Sequence, residues 1–187
     1  MLKVTKGRVL NGNGTTGCLN PSDRAGAGSL LQAGKGTDML RKAQIRDVKE
    51  IQKLLTFYAN RGEMLSRSLS ELYESVRDFY VWEEGGKLLG ACALHIMWED
   101  LAEIRSVAVS EDLRRHGIGT LLVTACLDEA RQLGLKKLFC LTYKPDFFGR
   151  FGFVIVDKSE LPHKVWRDCI NCVKFPDCDE IAMILEF

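Results

Sequence analysis

The chain has 187 residues, 46% of them hydrophobic, with 26 Lys and Arg against 25 Asp and Glu and seven Cys. That length and apolar content suit one domain with a real core. The formal net charge of +1 argues against a general nucleic-acid binder, and no apolar run approaches the roughly 18 residues that span a membrane.

Residues 1–38 hold eight glycines, few aromatics and no sustained period. Such a segment buries too little surface to offset its ordering entropy, so it reads as a disordered or loosely packed extension. Its polar start lacks the apolar stretch of a signal peptide. Seven Cys in that context point to a reducing cytoplasm and free thiols.

From Met39 the pattern becomes regular. LRKAQ reads as a short strand. Asp47 opens a helix whose apolar face is Val48, Ile51, Leu54, Leu55 and Tyr58, and Gly62 ends it. Ser68 or Ser70 caps a second short helix, LSELYESVRD. Phe79 to Glu83 and Lys87 to Ile96 read as antiparallel strands joined by the turn Glu84-Gly85-Gly86. Leu101 to Val109 is the next strand. A long helix, Gly117 to Leu133, closes at Gly134. Lys137 to Thr142 reads as a buried strand, Phe147 to Phe151 as one helical turn, and Phe153 to Val156 as a further strand. Residues 161–168 read as helical and Glu180 to Phe187 as the last strand. Through Val156 the order is β-α-α-β-β-β-α-β-α-β. That implies an α+β domain over 39–187, its sheet mostly antiparallel with one βαβ unit inside.

The most informative stretch is SVAVSEDLRRHGIGT, residues 106–120. A strand leads into a basic, glycine-bearing loop, and a helix follows. The first turn of such a helix offers unpaired N–H groups and the positive end of a dipole. Gly117 and Gly119 remove side chains where an anion must come close. The spacing is neither G-x-G-x-x-G nor the P-loop, since no Gly-Lys-Ser/Thr follows.

R-x-x-G-x-G, here Arg114, Gly117 and Gly119, resembles the acyl-CoA loop of the GNAT acetyltransferases. The stretches LGACALH, AEIRSVAV, EARQLGLKKLFCLT, FGRFGF and LPHKVW resemble the acetyltransferase domain of bacterial N-acetylglutamate synthases. The resemblance covers residues 39–187 and implies the GNAT fold, with helices on both faces of a central sheet and a splayed strand pair at the acetyl-CoA site. It further implies that the backbone of Ser106, Val107, Ala108 and Val109 holds the pantetheine and thioester. Arg114, Arg115, His116, Gly117, Ile118, Gly119 and Thr120 would then cradle the pyrophosphate. The long synthases carry an amino-acid kinase domain ahead of this one, so the chain reads as the short, stand-alone form.

Acetyl transfer from a thioester needs a deprotonated amine and a proton for the leaving thiolate. By resemblance Glu103 is the general base, acting through water. The proton donor lies at the end of LFCLTY: resemblance points to Thr142, while Tyr143 has the lower pKa, and the choice stays open. Arg67 and Arg105 are candidates for the acceptor's carboxylate, since Arg suits bidentate capture. By period two, Glu103, Arg105 and Val107 share one face of their strand unless it bulges. His95 ends a strand and faces either acceptor or solvent.

The C-terminus departs from the synthase pattern. Those enzymes carry Arg-Asn-Ser there to help bind glutamate, whereas this chain reads CINCVKFPDCDEIAMILEF. His163, Cys169, Cys172 and Cys178 have spacing H-x5-C-x2-C-x5-C, and zinc, packing and a redox disulfide all fit it. No metal is expected. Cys92, Cys126 and Cys140 read as core. The expected activity is N-acetylation of an amino acid, L-glutamate first, as the opening step of arginine biosynthesis. The other readings are a different small amine or a protein N-terminus, a non-catalytic acyl-CoA sensor, and an interaction module recruiting through residues 1–38. Neither nucleic acid nor membrane is an expected partner, and a homodimer is possible for a chain of this kind.

Overall fold

The computed structural model describes residues 39–113, 116–161, 170, 174 and 177–187. The expected extension over 1–38 and the expected helix beyond Leu161 lie outside those residues. Among the described residues seven strands form one sheet: β1 (Met39–Lys42), β2 (Phe79–Glu84), β3 (Lys87–Ile96), β4 (Leu101–Val109), β5 (Lys137–Thr142), β6 (Val154–Ile155) and β7 (Ile181–Glu186), in the order β1-β2-β3-β4-β5-β7-β6. Of these only β4 and β5 pair in parallel, and helix α3 (Ile118–Gln132) makes the crossover between them. Among the described residues no helix is long and apolar enough to cross a membrane.

Each face of the sheet buries its own core. On one face α3 presents Ile118, Leu122, Val123, Cys126 and Leu127 at helical spacing to Cys92, Leu94, Ala102 and Ile104 of β3 and β4. Gly90 lets that helix come close, since a Cβ there would stand 3.0 Å from Leu122 and 3.1 Å from Ile118. Helix α4 (Pro145–Gly149) adds Phe148 to the same core. On the other face α1 (Val48–Ala59) and α2 (Leu69–Glu74) bury Val48, Ile51, Leu55 and Leu72 against Val81, Ala91 and Ala93.

Local chemistry explains the ends. Ser68 caps α2 by accepting from Glu71 N–H, and Glu71 reaches back to Ser68 N–H. Gly134, at φ +75°, takes the left-handed position one residue beyond the Leu133 cap. The three thiols expected in the core are there. Cys92 and Cys126 lie 3.5 Å apart, sulfur to sulfur, and burial raises the Cys140 thiol far above its ordinary range.

The start of α1 is tied to the sheet by charge. Arg41 forks onto the buried Asp47 carboxylate at 2.6 and 2.9 Å and also reaches Glu83 at 2.6 Å. Those hydrogen bonds from Arg41, with one from Gln44 N–H, hold Asp47 below its usual value against the opposing effect of burial. The stability Asp47 contributes is therefore full above the ordinary carboxyl value of about 3.9 and is lost as pH falls through the lowered folded value. Thermal melts of wild type and Asp47→Asn should differ by a constant gap near neutrality that narrows on acidification. A gap indifferent to acid would show that Asp47 acts by packing alone.

Candidate active site

Strands β4 and β5 build a wedge. Their pairing covers Leu101 to Glu103 against Lys137 to Phe139 and then stops, although β4 runs on to Val109 and β5 to Thr142. A cleft of about 1680 Å³ opens there, lined among others by Glu103, Ser106, Ala108, Gly119, Thr142 and Tyr143. This is the splayed strand pair that the resemblance implies.

Strand β4 bulges at the wedge. Ala91 pairs with Ala108 and Ala93 with Arg105, so Ser106 and Val107 stand opposite Cys92 alone. Ser106 adopts φ +56°, a left-handed conformation costing a non-glycine residue on the order of 1–2 kcal/mol. The extra residue reverses the side-chain parity. Ala102 and Ile104 face α3 before it, and Val107 and Val109 face α3 after it. Ala108 turns to the α1 face. Val107 therefore does not share a face with Glu103 and Arg105, contrary to simple alternation. Tyr58 of α1 donates its phenol O–H to the Val109 carbonyl, closing one backbone acceptor of this strand.

The glycine loop meets the same cleft. Gly117 caps α3 at φ +80° and ψ −2°, a backbone that glycine adopts without strain. The first intrahelical bond runs from Leu121 N–H to the Gly117 carbonyl. The N–H groups of Ile118, Gly119 and Thr120 thus have no intrahelical partner, and the first turn carries no acidic residue. Packing requires neither glycine. A Cβ on Gly117 would meet nothing within 4 Å, and one on Gly119 would stand at ordinary contact, 3.5 Å from Phe147. The open space suits an anion approaching the helix end. His116 is exposed and Ile118 is buried in the α3 core. Arg114 and Arg115 lie outside the described residues.

Glu103 lines the cleft on the face away from α3, its carboxylate 3.5 Å from the Arg105 guanidinium. Arg105 also stands 4.0 Å from Asp78, and Arg67 lies 3.7 Å from Glu71. Both expected cations reach the cleft, and these contacts are longer than the roughly 2.7–2.9 Å of charge-assisted hydrogen bonds. The two candidate hydroxyls differ. Thr142 is buried and its Oγ1 accepts from Lys144 N–H at 2.9 Å. Tyr143 donates to Asp179 at 2.6 Å and receives the Lys174 ammonium. Burial and the bond to Asp179 raise the Tyr143 phenol, with Lys174 opposing, while the hydrogen bonds from Tyr143 and Lys174 hold Asp179 at about 2.

Sequence reasoning left His95 undecided and missed Asp78 and Glu180. His95 Nδ1 and Asp78 Oδ2 are 2.6 Å apart, and both residues line the cleft. Burial pushes the Glu180 carboxyl up, and Glu180 also lines the cleft. The only sequence signal for Glu180 is its position just before an apolar strand. Of the four candidate metal ligands, His163, Cys169 and Cys172 lie outside the described residues. Cys178 is half-buried, 3.9 Å from Glu180.

The match to known proteins agrees with this architecture. Residues 45–153 match the acetyltransferase (GNAT) family. An uncharacterised N-acetyltransferase of Chlorobaculum tepidum is 41% identical over 145 residues, covering 78% of this chain and 94% of the relative. The amino-acid acetyltransferase of Mycobacterium tuberculosis is 39% identical over 133 residues, covering 70% and 76%. Among solved structures, Rv2747 of Mycobacterium tuberculosis, in complex with CoA, superposes with a TM-score of 0.69 at 33% identity, over 80% of this chain and 99% of that one. N-acetylglutamate synthase of Neisseria gonorrhoeae, complexed with coenzyme A and N-acetyl-glutamate, gives a TM-score of 0.72 at 26% identity. It matches over 82% of this chain and 36% of the synthase. Sheet order, wedge and helix crossover thus coincide with a sequence match over more than half the chain, and the protein belongs to the GNAT family of N-acetyltransferases.

Proposed function

We propose that this chain transfers an acetyl group from acetyl-CoA directly to the α-amine of a free amino acid, L-glutamate first, as in the opening step of arginine biosynthesis. The observation that carries the reading is the wedge. It brings the N-terminus of α3, the bulged backbone of 106–109 and the Glu103 carboxylate into one cleft. The likeness to the amino-acid acetyltransferase of Mycobacterium tuberculosis and to N-acetylglutamate synthase of Neisseria gonorrhoeae supports the acceptor class.

Acetyl-CoA supplies the thioester carbon that the amine attacks. The orphan N–H groups of Ile118, Gly119 and Thr120 bind its pyrophosphate. The residues of the bulge hold the thioester arm through backbone groups. Glu103 takes the proton of the acceptor ammonium through water. Thr142 donates to the departing thiolate, because the Tyr143 proton is already engaged by Asp179. Arg67 and Arg105 receive the acceptor carboxylate.

The acidic lining favours a second reading, a different small amine or a protein N-terminus as acceptor. Glu71, Glu74, Asp78 and Glu180 stand around the same cleft as the two arginines. The test is thiol release from acetyl-CoA across free amino acids, a polyamine and a short peptide. Turnover with glutamate supports the first reading. Turnover with the polyamine or peptide alone moves the assignment to the second. Acetyl-CoA binding without any turnover would leave a sensor.

A further inference from the structure

His95 stands directly opposite Glu103 in the antiparallel pairing of β3 and β4. Residues so paired share a face of the sheet, with Cβ atoms roughly 4.5–5.5 Å apart. Asp78, at the end of the 3-10 turn before β2, approaches His95 from a third element. With Nδ1–H donated to the Asp78 carboxylate at 2.6 Å, the neutral imidazole keeps the lone pair of Nε2. That nitrogen makes no hydrogen bond to any described residue, and the ring lines the cleft. The arrangement is a carboxylate–imidazole dyad beside a carboxylate assigned the amine's proton.

Exposure gives the dyad a direction. The Glu103 side chain is 14% exposed and lies against the wedge. The His95 side chain is 30% exposed, one strand further from β5. Glu103 is thus the deeper of the pair, and His95 is the one more open to solvent. Among the described residues the charged groups facing the imidazole are Asp78 from the turn and Glu103 and Arg105 from β4, with Arg105 4.0 Å from Asp78 and 3.5 Å from Glu103. Glu71 and Arg67 lie further along the cleft.

We propose that His95, oriented by Asp78, is the proton-relay group of this site, taking at Nε2 the proton that Glu103 removes from the acceptor and passing it to solvent. The proposal rests on the N-acetyltransferase reading above. The balance closes. One proton leaves the acceptor ammonium for Glu103, then for His95, then for water. The free amine forms the C–N bond, the C–S bond breaks with its electron pair on sulfur, and the nitrogen's second proton goes to the thiolate. The products are the N-acetyl compound, the CoA thiol and one proton. Asp78 is a positioning residue: it sets the tautomer and stabilises the imidazolium while it exists.

The test uses the full chain, the amine panel and varied concentrations of imidazole as an external proton carrier. His95→Gln should lower kcat at least about tenfold while leaving the KM for acetyl-CoA within about twofold. Added imidazole should restore much of the rate to His95→Gln and none to Glu103→Gln. A wild-type kcat in His95→Gln across the pH range overturns the relay. So does a lost rate that imidazole does not raise, which marks a structural role. If His95→Gln folds poorly, Asp78→Asn carries the test: a reduced kcat with a shifted pH profile supports the dyad, and unchanged values overturn it. Absence of turnover in wild type with every amine would appear before any variant is made. It would remove the underlying reading, and the relay with it.

Discussion

Glu103→Gln should cut kcat at neutral pH by about 10²–10³-fold. The variant keeps the size and polarity of the side chain but cannot accept a proton. The acceptor then waits in its ammonium form, which has no lone pair for the thioester carbon. Binding of acetyl-CoA should change little, because the carboxylate lies on the face of β4 away from α3 and its first turn. The signature lies in the pH profile. As pH approaches the amine's own pKa the free base forms without help, and the rate of the variant should climb toward that of wild type. A wild-type rate at every pH would remove Glu103 from proton transfer. Its remaining role would be to pair with Arg105, 3.5 Å away.

Gly117→Glu should weaken acetyl-CoA binding by about 10²-fold or more, about 2.8 kcal/mol at 1.4 kcal/mol per tenfold. Two effects combine. The new side chain would occupy space in which a Cβ now meets nothing within 4 Å, and its carboxylate would stand where the orphan N–H groups of α3 attract a pyrophosphate. The left-handed backbone at φ +80° also penalises any side chain there, by about 1–2 kcal/mol of folding stability. Gly117→Asn separates the two, since asparagine tolerates this conformation and brings no charge. It should keep acetyl-CoA affinity within about tenfold. Titration calorimetry with CoA reads both variants. Unchanged affinity in Gly117→Glu would sink the assignment of this loop to the phosphates.

Much of the fold was legible because its signals are local. The 3.6-residue period of Ile118, Leu122, Val123, Cys126 and Leu127 marks α3 without reference to anything it packs against. The Ser68 cap and the Gly85-Gly86 turn are likewise decided within a few residues. The strand boundaries moved by a residue or two, and the helical turn expected at Phe147 begins at Pro145, where proline suits the first helical position.

The site was legible only where it follows the chain. Glu103, Ser106 to Val109 and Gly117 to Thr120 lie on one continuous strand–loop–helix unit. The bulge inside that unit enters the sequence reading only as a condition, because alternation alone assigns Val107 to the face of Glu103. A one-residue insertion in β4 is visible only against its partner β3. Asp78, His95 and Glu180 carry no motif.

The amino-acid sequence by itself determined the elements, the glycine-bearing turn into α3 and the carboxylate on the strand before it. Each depends on backbone preference and spacing within a few turns of chain. Only the tertiary structure decided three things: that β7 enters between β5 and β6, that pairing of β4 with β5 ends at Glu103, and that Asp78 reaches His95. Those depend on which strands meet and in what register. Register is a balance over the whole sheet and both of its cores, and no local stretch of sequence contains it.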